Sequence, residues 1–215
     1  MVVRNFIYAL TRIRFDYLKS YTEEMEYNIV RNIESFKNRT DEETSGYSDD
    51  ELEYYWDYHI DEFYEIKSVY PSILRYTIVV SVISTLEQTL VRIFNTEFKR
   101  NPYSRHFKTY HENTFIALSE YFKHEMKICI PKYNPEWKFI LNLNKIRNNI
   151  VHNNGRVYDD NNKLLLNKII KNTPHITISD SEEIIIEKEF TDLMIDTILK
   201  FLKELFYEIK YKRVS

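Results

Sequence analysis

The sequence predicts a mostly helical, all-α bundle carrying one small β-hairpin near its C-terminus, and three observations point there. Only two glycines and five prolines occur in 215 residues, which leaves few tight turns and favours helices joined by short loops. Hydrophobic residues make up 43% of the chain, enough for a packed core. Apolar residues recur at three-to-four spacing along most of the length, the period of a helix face. Residues 1–215 read as a single domain.

The elements follow in order. Residues 3–39 read as one long helix, with Phe6, Ile7, Leu10, Ile13, Tyr17 and Leu18 at helical spacing. The polar run "NRTDEETSGYSDD" contains Gly46 and reads as a loop. Ser48 with Glu51 three residues on forms a capping box, opening a second helix that runs to about Val69. From Thr40 to Ile66 the acids are Asp41, Glu42, Glu43, Asp49, Asp50, Glu51, Glu53, Asp57, Asp61, Glu62 and Glu65, with no lysine or arginine. This acidic loop and helix, at about 40–68, is a solvated face, a surface for a basic partner or a shield for a basic site elsewhere; in no case is it expected to touch RNA. Pro71 opens a third and strongly apolar helix, Ser72 to about Phe98.

"FKRNPYSRHFKTYHEN" is a basic loop, followed by a fourth helix from about Glu112 to Lys127 and a break at "IPKYNP". Asn134 caps a fifth helix with Pro135 at its first position. Beyond Gly155, "HITISDSEEIIIE" offers two β-branched runs around Asp180-Ser181-Glu182, a hairpin at about 175–188. Helical spacing resumes from Thr191 to Tyr211.

Several function classes fall away. A net charge of −3 does not suit a protein that coats nucleic acid generally, although it permits a small local site. Cys129, the one cysteine, sits in the apolar "MKICI" as a core residue with no disulfide or metal partner. The N-terminus carries Arg4, Arg12 and Arg14 among its apolar residues, unlike a signal peptide. The longest apolar run, "TIVVSVIS", is far short of the ~20 residues of a membrane span. These features lead us to expect a cytoplasmic protein with no membrane partner. His106, His111 and His124 lie near Glu112, Glu120 and Glu125, but without the spacing of a metal motif. No glycine-rich phosphate loop or nucleophile elbow is present, so no metal and no cofactor is expected.

The fifth helix carries the chemistry. At 100° per residue, Phe139, Leu143, Ile146 and Ile150 share a core stripe, while Lys138, Asn142, Lys145 and Asn149 fall on a solvent side. On the third side Asn144, Asn148 and His152 make one polar line at i, i+4 and i+8, with Arg147 beside it. Trp137, Ile140, Leu141 and Val151 frame that line. One reading is a site or subunit interface; the other is that His152 and the asparagines satisfy the last carbonyls of a helix ended by Gly155. In the third helix Glu87 lies on an apolar stripe with Ile83, Leu90, Val91 and Phe94, so it needs a partner. Arg147, with its planar fork, is the candidate.

"RNNIVH", Arg147 to His152, resembles the signature of the HEPN superfamily (higher eukaryotes and prokaryotes nucleotide-binding). That signature is an arginine, four to six residues, then a histidine, often with a polar residue such as Asn148 after the arginine. The specific similarity covers about a dozen residues, with looser similarity from Ile73 to Tyr211. Many members are metal-independent endoribonucleases that act as toxins or antiphage effectors. The resemblance implies the same here: Arg147 and His152 as catalytic residues, with Asn148, Asn144 and Glu87 supporting them. It also implies a homodimer, because two subunits typically bring their motifs together across a two-fold axis. An antitoxin or regulatory protein is a further expected partner. One subgroup carries a modified tyrosine two residues after the histidine; Asn154 stands there, so the resemblance does not extend to that regulated pair. The alternative expectation is a catalytically inactive HEPN-like module that binds a nucleotide or protein. Lys99, Arg100, Arg105 and Lys108 of the basic loop, interleaved with Tyr103, Phe107 and Tyr110, read either as an ordinary exposed loop between helices or as a surface that guides RNA.

Overall fold

The structure, a computed structural model, describes residues 2–101, 103–128 and 134–211. Cys129 and most of the break before Asn134 lie outside the described residues. The fold is mostly helical, with α1 (Val2–Glu43), α2 (Asp49–Tyr64), α3 (Tyr70–Phe98), α4 (Thr114–His124), α5 (Pro135–Asn153), α6 (Lys163–Lys171) and α7 (Phe190–Tyr211). A two-stranded antiparallel hairpin, β1 (Ile176–Ile178) and β2 (Ile184–Ile186), lies between α6 and α7, with Ile176 opposite Ile186.

The bundle centres on α3. Val82, Ile83, Leu86 and Leu90 of α3 meet Ile140, Leu143 and Ile146 of α5 and Met194, Ile195, Ile198 and Leu202 of α7, all buried in one core. Each such side chain contributes about 1.5–3 kcal/mol by leaving water. Trp137 stacks on Phe201 with centroids 5.1 Å apart, and Lys200 of α7 donates to the buried carboxylate of Glu136. Lys200 thereby holds the Glu136 carboxyl below its ordinary range. At the other end of α3, Phe94 packs edge-on against Tyr121 of α4 at 4.8 Å.

Helix α1 runs antiparallel to α3. The Thr11 and Thr89 hydroxyls lie 3.0 Å apart, Arg14 donates to Gln88 at 3.2 Å, and Arg75 pairs with Glu26 at 2.7 Å. The spacing that signals this helix is not the face it buries. Ile7, Thr11, Phe15 and Thr22 point inward, while Phe6, Leu10, Ile13 and Tyr17 are exposed. Thr11 and Thr22 tolerate burial because their hydroxyls donate to the carbonyls of Ile7 and Leu18, four residues back.

Helices α2 and α3 form one continuous helix, Asp49–Phe98, where the sequence suggests a break at Pro71. Proline cannot donate to the carbonyl four residues back. The chain resolves this with a π-helical turn at Glu65–Val69, in which the Tyr70 N–H reaches Glu65 O, and buries the Pro71 ring. An 18-residue window of this helix has a mean hydropathy of 1.4, enough by composition to cross a membrane, and half of it is buried inside the protein. The capping box at the start of α2 is present: the Ser48 N–H and hydroxyl both donate to Glu51 at 2.8 Å. Helix α4 begins at Thr114 rather than near Glu112, because the Asn113 side chain accepts from the Ile116 N–H. Helix α6 has no counterpart in the sequence reading; its Leu166, Ile169 and Ile170 are buried.

Candidate functional site

Helix α5 carries most of the residues singled out by sequence. It starts as its residues dictate: Asn134 accepts from the Trp137 N–H at 2.7 Å, with Pro135 in the first turn. Its end is anchored more firmly than one capping residue would manage. Asn154, in the left-handed conformation with φ 51°, ends the helix, and its N–H donates to Asn149 O. Gly155 follows with φ +80°, and a Cβ there would meet the Tyr76 hydroxyl oxygen at 2.1 Å. Gly155 O accepts from the Ile184 N–H at 3.0 Å, and the Tyr76 hydroxyl donates to Ile184 O at 2.6 Å. Burial raises the Tyr76 pKa to about 12, so it stays a donor. The β-hairpin therefore works as a buckle between the end of α5 and the start of α3.

Asn149 departs from the helical-wheel expectation. It is buried, not solvated, because the chain after Gly155 folds over it. Its amide donates to Arg156 O at 3.1 Å and to Asp160 Oδ2 at 3.0 Å, leaving Oδ1 without a partner among the described residues.

Arg147 and Glu87 come together across α5 and α3. Arg147 Nη2 donates to Glu87 Oε2 at 3.2 Å, and Nη1 donates to Asn148 Oδ1 at 3.0 Å. Arg147 Nε is buried without a partner among the described residues. The pair is half-buried, with side-chain exposures of 21% for Arg147 and 30% for Glu87, so Glu87 is less enclosed than its apolar stripe implies. The remaining Nη hydrogens meet no acceptor among the described residues and can donate to an anion, since a guanidinium carries five donors in a fixed fork.

Asn144 is buried and Asn148 half-buried on the same side. His152 is exposed and makes no hydrogen bond, ion pair or ring contact with the described residues. It stands about 140° around and about 7.5 Å along α5 from Arg147 by helix geometry. The apolar frame divides: Trp137 and Ile140 belong to the chain's own core, leaving Val151 exposed and Leu141 half-buried.

The basic loop lies elsewhere. Lys99 is about 18 Å along α3 from Glu87, on the end away from the α5 terminus. Lys99, Arg100, Arg105 and Lys108 are exposed, with Arg100 3.4 Å from Glu97. Of the interleaved aromatics only Tyr103 is open; Phe107 is buried, and Tyr110 donates to Glu125 at 2.6 Å.

Of His106, His111 and His124, His124 meets Glu120 at 3.0 Å, but the three gather into no group of metal-ligand type among the described residues. Among the described residues one group of metal-ligand type does gather, His175, Glu187 and Glu189 at the open end of the hairpin, all exposed. The sequence reading missed it because its members flank two strands whose pairing brings them together.

No family model, curated protein or solved structure matches the chain. The residues themselves must carry the functional reading.

Proposed function

We propose that the protein is a metal-independent endoribonuclease of HEPN-like type, acting in the cytoplasm as a toxin or antiphage effector. The observation that carries this reading is Arg147, fixed by Glu87 and Asn148 on the helix that also presents His152 to solvent. In the proposed reaction the 2′-hydroxyl of RNA attacks the adjacent phosphorus. The bond to the 5′-oxygen breaks, leaving a 2′,3′-cyclic phosphate and a 5′-hydroxyl. Arg147 stabilises the charge gathering on the non-bridging oxygens, and Glu87 holds the fork in place. His152 takes or gives the proton, a role suited to imidazole near neutral pH.

In-line transfer benefits from both a base and an acid, and the motif of one chain offers one histidine, His152. A two-fold homodimer supplies the second. The divergence of His152 from Arg147 around α5 supports that arrangement, because each histidine is better placed to serve a phosphate shared with the other copy. An antitoxin or regulatory protein is the corresponding proposed partner.

The test is incubation of wild type, His152→Ala and Arg147→Ala with total RNA in excess EDTA, scoring fragment ends for cyclic phosphate. Loss of cleavage by roughly 10²–10⁴-fold in each variant is expected. Equal cleavage by all three would sink the proposal. A second reading, a catalytically silent binding module, is favoured by the engagement of Arg147 with Glu87 and Asn148 and by the separation of His152 from Arg147 around α5. It predicts no cleavage, with ligand affinity retained in His152→Ala.

A further inference from the structure

We infer that the groove between α1 and α3 is a base-stacking track that leads single-stranded RNA to Arg147; the inference rests on the ribonuclease reading above. The groove, of about 470 Å³, is lined by Arg14, Tyr17, Leu18, Tyr21, Ser81, Thr85 and Gln88. Tyr17 is 70% exposed and Tyr21 52%, one helical turn apart on α1. Two rings at that spacing on a solvent-facing wall offer flat surfaces that the fold itself does not use.

The floor is uncharged: Ser81, Thr85 and Gln88 offer hydroxyls and an amide. Arg14 supplies the cation and is held over the floor by its bond to Gln88 at 3.2 Å. Gln88 adjoins Glu87, whose charge is met by Arg147 at 3.2 Å. Ser84, half-buried, lies between Glu87 and Gln88 around α3, so the path from the tyrosines crosses a hydroxyl and reaches a carboxylate at Glu87, whose charge Arg147 offsets. The next acid on the Tyr17 face of α1, Glu24, accepts from Asn28 at 3.3 Å. Two guanidinium groups thus flank α3, one among stacking rings and one held by Glu87 and Asn148.

The axes of α1 and α5 are separated by two packing distances, about 16–20 Å, a span that a few nucleotides of extended RNA can cross. A cation with neighbouring stacking rings and a neutral hydrogen-bonding floor is the chemistry of a sequence-tolerant single-strand site. The basic loop at Lys99–Lys108 lacks this combination, since two of its three aromatics are committed to the fold.

The experiment measures fluorescence anisotropy of a short labelled single-stranded oligoribonucleotide, using full-length His152→Ala protein to suppress cleavage. Tyr17→Ala and Tyr21→Ala are each expected to weaken binding by about 5- to 150-fold, the equivalent of one lost stacking contact. Tyr17→Phe keeps the ring face and should bind as the parent does. Arg14→Gln should reduce the salt dependence by roughly one phosphate contact.

Unchanged affinity in both alanine variants, with the parent binding, overturns the track while leaving the Arg147/His152 reading intact. Sedimentation showing that Tyr17→Ala or Tyr21→Ala turns a dimer into a monomer also overturns it, since the groove then seats a second copy. Absence of RNA binding by the parent, together with absence of cleavage by wild type, overturns both readings.

Discussion

Gly155 shows how one residue without a side chain holds the motif helix in register. Its φ of +80° costs an L-residue roughly 1–2 kcal/mol, and any Cβ would push Tyr76 off Ile184 O, a net loss of about 1 kcal/mol. Gly155→Ala should therefore lower the melting temperature by roughly 5–10 °C, read by calorimetry; an unchanged melt would show that Tyr76 yields without cost. Sequence patterning assigns Gly155 to the end of the helix, but the left-handed terminator is Asn154, and glycine is required for space. Asn149 was illegible for a related reason. A helical wheel sorts residues by one helix alone, and the Arg156–Asp160 segment that covers Asn149 comes later in the chain. The pairing of Glu87 with Arg147 was readable because an acid on an apolar stripe needs a partner, whichever helix supplies it.

Among the elements, α5 is the most locally written, with its cap, its proline and its core stripe of Leu143, Ile146 and Ile150 all as the sequence dictates. Helix α6 was hidden because two turns give too short a window for a period to declare itself, and Asn162 makes no side-chain cap bond. The merger of α2 with α3 was hidden because proline normally ends a helix unless an extra residue opens the preceding turn. The tie between α5 and α7 makes a pH-dependent contribution. The Glu136 carboxyl, which Lys200 holds below its ordinary value of 4.5, binds its proton less readily folded than unfolded. The stability it confers is present above about pH 4.5 and is lost as pH falls through the lower folded value. Lys200 is shifted upward from 10.5, so its share is present below that value and lost as pH rises through the higher folded one. Glu136→Gln should flatten the acid limb of a stability–pH profile measured by urea unfolding; an unaltered limb would assign acid sensitivity to other carboxylates.

Across the whole molecule, α1 and the α2–α3 helix make a long antiparallel hairpin. The ends of these helices nearest α5 and α7 belong to the main core, whereas the distal end is stitched by a few residues. Phe36 stacks near Phe63 at 5.2 Å, Arg39 pairs with Glu62 at 2.7 Å, and Tyr55 donates to Glu43 at 2.9 Å. Few buried apolar residues there imply a lower local opening free energy. Amides of 49–64 should exchange with deuterium faster than those of 78–94, and equal protection would mean that the hairpin opens only with the core. The π turn lies at the border between the two regions and works like a gear tooth. It takes up one residue more than an α-helical turn in about the same sweep around the axis, so winding all five of its residues at ordinary α pitch would swing one part against the other by roughly 100°. Tyr54 and Tyr58, 77% and 78% exposed, would then face a different compass bearing relative to Arg147. The direction in which the acidic arm points is thus set by the register of five residues, Glu65–Val69, that touch neither the arm's tip nor the candidate site.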